Sequence, residues 1–371
     1  MRQRRSRVDF GGGGRVSFAT MGGDSTTTSL GRIGALARQA GPLARSAPTL
    51  ARFAWARATG RKFPLMVTLS LTDKCNFRCH YCDLPHMNRD EMTTADWHRA
   101  IDELADAGMM RVSIMGGEPL LRKDVGELVD HLKARGINVA MNTNGWYFAQ
   151  KMDVVAKLDL VCITLDGPQA HNDAQRHPGA HDRVLEAIDL AKSRGVKVIT
   201  MTVVTKPDLD VIDYVLQVAR DKEIRAFFQI EHPSDGDTNK TIAPQIADDS
   251  SIAAIALHLL KRKEEGWPVG PSKTYLKQLA GRDNQGARRL YSCEDCFASR
   301  YFLSVTPSGY VVPCPLTYHD GNLNGREVGF AKAFEALPQP KDAGCSCNPT
   351  TELNYLLHFR AEPILNAFEL A

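Results

Sequence analysis

Met66-Val67-Thr68-Leu69-Ser70 runs through Leu71-Thr72-Asp73-Lys74 directly into Cys75-Asn76-Phe77-Arg78-Cys79-His80-Tyr81-Cys82. The first five residues read as a short strand. The rest is C-x3-C-x2-C, three thiols on one loop at that strand's C-terminal end. Outward from this stretch the chain repeats strand, loop and helix. Thr94 to Ala107 reads as a helix, with Thr93 or Thr94 as N-cap and Gly108 as its stop. Strands are expected at Arg111–Met115, Asn138–Met141, Leu160–Leu165, Val198–Val204 and Arg225–Ile230, with helices at Val125–Arg135, Arg183–Ser193 and Leu209–Asp221 between them. Six strand-helix units in succession predict a parallel sheet, doubly wound or barrel-like. In a β/α barrel the chemistry sits where strands end and loops begin.

The composition sets bounds. The chain has 371 residues, 43% of them apolar and 24% charged, which is globular rather than disordered. No apolar run approaches the roughly 20 residues needed to cross a bilayer. The net charge of +3 hides an asymmetry: residues 1–64 hold eleven Arg and Lys62 against Asp9 and Asp24, leaving −7 on the remainder. An acidic body is not expected to bind nucleic acid. The basic leader, with Gly11 to Gly14 in a row and Pro42 and Pro48 breaking its helical stretch, reads as a largely disordered or helical extension. It is a candidate for contact with an anionic membrane surface. It lacks a secretory apolar region, and its Arg-rich, acid-poor composition leaves an organelle transit peptide open. The expected location is the cytoplasm.

Three thiols on one short loop leave a tetrahedral metal site one ligand short. A closed zinc site completed by His80 or His86 is one reading. A [4Fe–4S] cluster with three protein ligands and one open iron is the other. A second cysteine group lies near the C-terminus: Cys293, Cys296, Cys314, Cys345 and Cys347. Between Cys296 and Cys314, Tyr301–Val305 and Tyr310–Val312 read as a hairpin around Thr306-Pro307-Ser308-Gly309, which carries both cysteines toward one site. Zinc is an alternative here too. Cys162, within the fourth strand, is expected to be an inert core thiol.

The first loop resembles the signature of the radical S-adenosylmethionine (SAM) superfamily, C-x3-C-x-aromatic-C, with Tyr81 as the aromatic residue. The resemblance implies that Cys75, Cys79 and Cys82 bind three irons of a [4Fe–4S] cluster, that SAM chelates the fourth, and that Tyr81 contacts the adenine. It further implies one-electron cleavage of SAM to a 5′-deoxyadenosyl radical that takes hydrogen from a substrate. Gly116-Gly117-Glu118-Pro119 is similar to the family's GGEP motif, in which the two glycines admit SAM closely and Glu118 would meet its methionyl amino group. Asn142-Thr143-Asn144-Gly145 is similar to its TNG element, and Thr164-Leu165-Asp166-Gly167 to its S/T-x-D-G element near the ribose. Asn142, Asn144, Thr164 and Asp166 are thus SAM-binding candidates.

The second cysteine group resembles a SPASM/Twitch auxiliary domain. That implies a second [4Fe–4S] cluster on Cys296, Cys314, Cys345 and Cys347, with Cys293 as alternate. The C-x-C of Cys345 and Cys347 departs from the usual C-x2-C ending. The expected fold is α/β: a partial (β/α)6 radical SAM barrel at 65–235, a helical linker at 236–290, a small Twitch-like auxiliary-cluster domain at 291–350 and a C-terminal helix at 351–371.

The expected reaction is oxidation of a small-molecule or lipid-like substrate by a dehydrogenase whose auxiliary cluster accepts an electron, with reduced flavodoxin or ferredoxin as donor. Peptide maturation by a crosslink or thioether is the alternative. Residues 1–64 do not read as the folded leader-binding domain such enzymes commonly carry. The molybdenum-cofactor cyclase type is set aside because the chain ends Phe368-Glu369-Leu370-Ala371 rather than Gly-Gly. A non-catalytic iron–sulfur carrier is the reading from another class. Glu231 and His232, after the sixth strand, are the candidate acid and base.

Overall fold

Strand β1 (Met66–Ser70) is the pivot of one eight-stranded sheet. On one side of it run β2 (Arg111–Met115), β3 (Asn138–Thr143), β4 (Leu160–Thr164), β5 (Lys197–Val204) and β6 (Arg225–Ile230), each parallel to the last. On the other side β7 (Phe302–Val305) pairs parallel to β1, and β8 (Val311–Val312) returns antiparallel to β7. The computed structural model describes residues 55, 57–87, 89–230, 249–281, 296–315, 323–339 and 347–370.

The helices follow the strands: α1 (Thr94–Ala107), α2 (Val125–Ala134), α3 (Met152–Val155), α4 (Gln169–Gln175), α5 (Ala180–Ser193) and α6 (Leu209–Asp221). Helix α1 shows why the local reading succeeds. Thr93 and Asp96 exchange side-chain bonds to each other's backbone N–H, and Gly108 ends the helix at φ 119°. Trp97, Ala100, Ile101 and Leu104 recur on one face, and all are buried against the sheet. Strands β3, β5 and β6 alternate buried and half-accessible residues. Their buried face joins the helices in the main core. Their other face, with Asn142, Met201 and Gln229, lines the interior of the open barrel.

The structure adds to or differs from three expectations. The hairpin between Cys296 and Cys314 forms, with β8 antiparallel to β7, and β7 also extends the barrel sheet along the free edge of β1. The linker does more than connect. After α7 (Asp249–Glu264) the chain places Val269 in a parallel bridge with Ala226, so this segment covers the edge of β6 before α8 (Lys273–Ala280) begins. Beyond α9 (Gly325–Val328) and α10 (Phe330–Ala336), the single expected C-terminal helix is two, α11 (Asn348–Leu357) and α12 (Ala361–Leu370). Phe359 adopts φ 55° between them, and Pro363, lacking an N–H, sits in the first turn of α12. Leu365 on α12 is 64% exposed. Among the described residues no helix is long and apolar enough to cross a membrane.

Candidate active site

Loops from the C-terminal ends of β1, β2, β3 and β4 meet around the three thiols. The first contact explains the paired glycines. A Cβ on Gly116 would lie 2.4 Å from the Thr72 carbonyl oxygen, and one on Gly117 would lie 2.3 Å from that of Lys74. The Gly117 N–H donates to Thr72 O at 2.7 Å, and the Glu118 N–H to Lys74 O at 2.9 Å. These glycines seat the stem of the cysteine loop, a backbone approach within the protein that only glycine permits.

Glu118 is fully enclosed. Its carboxylate accepts the Asn144 N–H at 2.8 Å, the Thr143 hydroxyl at 2.9 Å and the Leu120 N–H at 3.1 Å. Burial pushes its pKa up, and these three donors oppose the shift. The side chain thereby ties the β2 loop to the β3 loop. Asn144 continues the chain of contacts: its Nδ2 donates to Asn76 Oδ1 at 2.9 Å and approaches Cys75 Sγ at 3.9 Å. Phe77, buried in the middle of the cysteine motif, stacks on His177 and meets Trp146 edge-on.

The far side of the loop is held by charge. Tyr81 donates its hydroxyl to Asp166 Oδ2 at 2.6 Å. Arg176 Nη1 donates to both, at 3.2 Å each. The Asp166–Arg176 pair is buried, with side chains 0% and 4% exposed. Burial opposes the charge on Arg176, but Tyr81, Asp166 and Cys79 around it hold its pKa above the ordinary value. Arg176 was not among the sequence candidates. It follows a short helix, and nothing local distinguishes it from a surface arginine.

Burial raises the pKa of Cys75 and Cys79, and pushes that of Cys82 up to about 12. Each of Cys79 and Cys82 also feels Cys75, and Arg176 favours the thiolate of all three. The three thiols thus share one cationic neighbour. Asn142 and Thr164 stand half-accessible on the barrel interior, beside this loop cluster. Cys162 is buried as expected, but on the other face. It has the parity of Thr164, lies in register with Asn142 and Ile199, and points into the barrel rather than toward the helices. Desolvation alone pushes its thiol up to about 12.

At the second group, Cys296 and Cys314 belong to one apolar cluster with Phe63, Phe297, Tyr301 and Leu357. Asn354 Nδ2 donates to Cys296 Sγ at 3.6 Å, and the Thr350 hydroxyl donates to Cys347 Sγ at 3.3 Å. Cys296 and Cys347 thus both touch the first two turns of α11. Cys293, Cys345, Glu231 and His232 lie outside the described residues. Among the described residues no three His, Cys, Asp or Glu side chains are grouped closely enough for a single ion.

The radical SAM superfamily profile matches residues 69–217. The chain is 30% identical over 308 residues to the mycofactocin maturase MftC of Mycolicibacterium smegmatis, covering 77% of this chain and 75% of that one. It belongs to the radical SAM superfamily. Members of this superfamily are enzymes that use a [4Fe–4S] cluster and SAM. The GTP 3′,8-cyclase of Lactiplantibacillus plantarum is 32% identical over 297 residues, 74% of this chain and 85% of that one. Among solved structures, Streptococcus suis SuiB bound to S-adenosylmethionine superposes with TM-score 0.62 at 17% identity, over 85% of this chain and 77% of that one. Native anSMEcpe with bound AdoMet and a peptide superposes with TM-score 0.57 at 16% identity, over 74% of this chain and 80% of that one. These superpositions bear out the radical SAM fold.

Proposed function

We propose that this chain is a radical SAM maturase acting on a peptide. The carrying observation is the 30% identity to a maturase across three quarters of both chains. The peptide-bound SuiB and anSMEcpe structures, which share the fold, support the substrate class. This displaces the small-molecule dehydrogenase read from the sequence in favour of the peptide alternative.

Cys75, Cys79 and Cys82 hold the SAM-binding cluster in this reading. The donor set fits in its chemistry: three thiols on one short loop, a guanidinium that offsets thiolate charge, and a loop held on both sides. The bound cluster and SAM supply the 5′-deoxyadenosyl radical. This chain's residues keep the loop in place through Gly116, Gly117, Tyr81 and Arg176. Asn142, Asn144, Thr164 and Asp166 surround the SAM site. Cys296, Cys314, Cys345 and Cys347, with Cys293 as alternate to these, hold the auxiliary cluster. The shared apolar cluster and the common contact with α11 support that placement. Reduced flavodoxin or ferredoxin is the proposed donor.

The 32% identity to a GTP 3′,8-cyclase restores, as a second reading, the cyclase type that the C-terminal residues had set aside: radical cyclisation of a purine nucleotide. One experiment separates the two. Anaerobically reconstituted protein is given SAM and reductant, with either a candidate precursor peptide or GTP. Maturation shows as 5′-deoxyadenosine together with loss of two hydrogens from the peptide. Conversion of GTP with the peptide untouched would instead establish the cyclase. Iron analysis of the same samples should give about eight irons per chain, and about four in a Cys75→Ala/Cys79→Ala/Cys82→Ala variant.

A further inference from the structure

Helix α11 crosses the lateral opening of the partial barrel. The sheet ends at β6 on one side and at the β7–β8 hairpin on the other. At the start of α11 the Asn348 N–H donates to Gln229 Oε1 at 2.8 Å. Gln229 is the next-to-last residue of β6 and stands half-accessible on the barrel interior. Farther along, Asn354 accepts the Phe297 N–H at 2.9 Å, in the stretch before β7. The start of α11 therefore lies at the C-terminal end of the strands, where the chemistry of a β/α barrel sits.

Asn348 and Thr351 on this part of the helix are both 0% exposed. Among the described residues, Asn348 Oδ1 and Nδ2 and the Thr351 hydroxyl have no hydrogen-bond partner. Three positions apart, the two side chains are neighbours on the helix surface. The faces beside them are committed. Glu352 and Tyr355 bond Ser272 and Gln278, at the N-cap and within α8. Thr350 and Asn354 bond Cys347 and Cys296. Native structures leave few buried polar atoms unpaired, because each has lost its water and gained no bond in return. Such atoms on two neighbouring side chains at the barrel mouth point to a ligand.

We propose that Asn348 and Thr351 bind the main chain of an extended peptide substrate at the barrel mouth. The inference rests on the peptide reading above and names residues that position that substrate. A carboxamide offers a donor and an acceptor side by side, so its ligand must return both. A residue of extended chain does so, because its own N–H and C=O can pair with one partner residue, as in an antiparallel ladder. The Thr351 hydroxyl takes a further carbonyl. The group now on the Asn348 N–H is itself a carboxamide, that of Gln229, whose Nε2 turns back to the Ile230 carbonyl at 2.8 Å. Gln229 is accessible where Asn348 is enclosed. The substrate enters by displacing the Gln229 side chain, and one of its carbonyls takes over the Asn348 N–H.

The test uses the reconstituted full chain and a fluorescein-labelled Thr-Val-Thr-Val-Thr peptide, whose composition favours extended backbone, followed by anisotropy. A second peptide carries N-methyl groups on its internal residues and so lacks their N–H donors. The wild type should bind the first peptide saturably and the second about tenfold more weakly. Asn348→Leu should weaken binding of the first about tenfold and respond little to N-methylation, because the two changes remove the same bond. Thr351→Val should weaken it about threefold, and Thr351→Ser should restore it. Urea unfolding of the peptide-free chains separates binding from packing. Neither Asn348→Leu nor Thr351→Val should lower the midpoint, because the atoms removed bond nothing there. Thr202→Val, which removes a buried hydroxyl bonded to the Leu165 carbonyl at 2.7 Å, should lower it. Lowered midpoints with unchanged peptide binding in the two α11 variants would assign these atoms to internal water only and overturn the proposal. So would absence of saturable binding, or equal binding of the two peptides by the wild type. Binding that depends on Asn348 with no peptide ever modified would keep the site and remove the maturase reading. A peptide modified with unchanged KM in both variants would do the reverse.

Discussion

The Tyr81 hydroxyl donates to Asp166 Oδ2 at 2.6 Å, joining the cysteine loop after β1 to the end of β4. Removing the donor leaves Asp166 with Arg176 and the Val203 N–H, so Tyr81→Phe should cost about 1.5–3 kcal/mol. Asp166→Asn should cost more, about 3–5 kcal/mol, because it leaves the Arg176 charge buried without its partner. Urea denaturation of the two variants checks the order. If Tyr81→Phe were as damaging as Asp166→Asn, the ion pair would not be what holds this corner.

Gly116 and Gly117 make a separate prediction about metal loading. Alanine at either position places a methyl carbon within 2.4 Å of a backbone carbonyl oxygen of the loop stem. Backbone cannot yield as a flexible side chain can, so the cysteine loop must move. Gly117→Ala should retain the helix content of the barrel by circular dichroism while binding less than half the wild-type iron at the first site. Full iron in that variant would show that the loop seats without this close approach.

The strands and helices around these glycines were legible because their signals are local. Thr93 and Gly108 mark the ends of α1, and period-two burial marks β3 and β5. The four strand-end motifs were legible for the same reason, as each is a short run at a predictable place. What was hidden depends on partners far along the chain. Arg176 meets Tyr81 across 95 residues. Strand β7 chooses the edge of β1, more than 230 residues away, and no pattern within Phe302–Val305 names that edge. Cys162 reads as apolar core in sequence because its neighbours are aliphatic, and only the register shows that it faces the barrel interior. Pro363 did carry the signal for the break before α12.

Glu352 predicts a pH dependence of stability. Burial first, and then the nearby Glu362 charge, raise its pKa from 4.5 to about 7, despite the 2.7 Å bond it accepts from the Ser272 N–H. Between those values the folded state keeps a proton that the unfolded state has lost. Stability contributed by this group is therefore full below pH 4.5 and falls as pH rises toward about 7. Thermal or urea melts across that range should show a loss of roughly 2–3 kcal/mol in the wild type relative to Glu352→Gln. Parallel pH profiles for the two proteins would remove Glu352 as the cause.

Asn354 links the second cysteine group to the core. Its Oδ1 accepts the Phe297 N–H at 2.9 Å, and its Nδ2 donates to the Thr350 carbonyl at 3.1 Å and to Cys296 Sγ at 3.6 Å. Replacement by Leu keeps the volume but leaves the Phe297 N–H buried without an acceptor, a cost of about 1–3 kcal/mol. The same change withdraws an N–H from Cys296 Sγ, and hydrogen bonds to cluster sulfurs help set the reduction potential. Asn354→Leu should therefore both lower the unfolding midpoint and move the auxiliary cluster to a more negative potential in an EPR-monitored titration, with the SAM-responsive signal unchanged. Asn354→Asp retains the acceptor for Phe297 but not the donor to sulfur. It should recover part of the stability and none of the potential, which distinguishes a bond to the sulfur from loosened packing around α11.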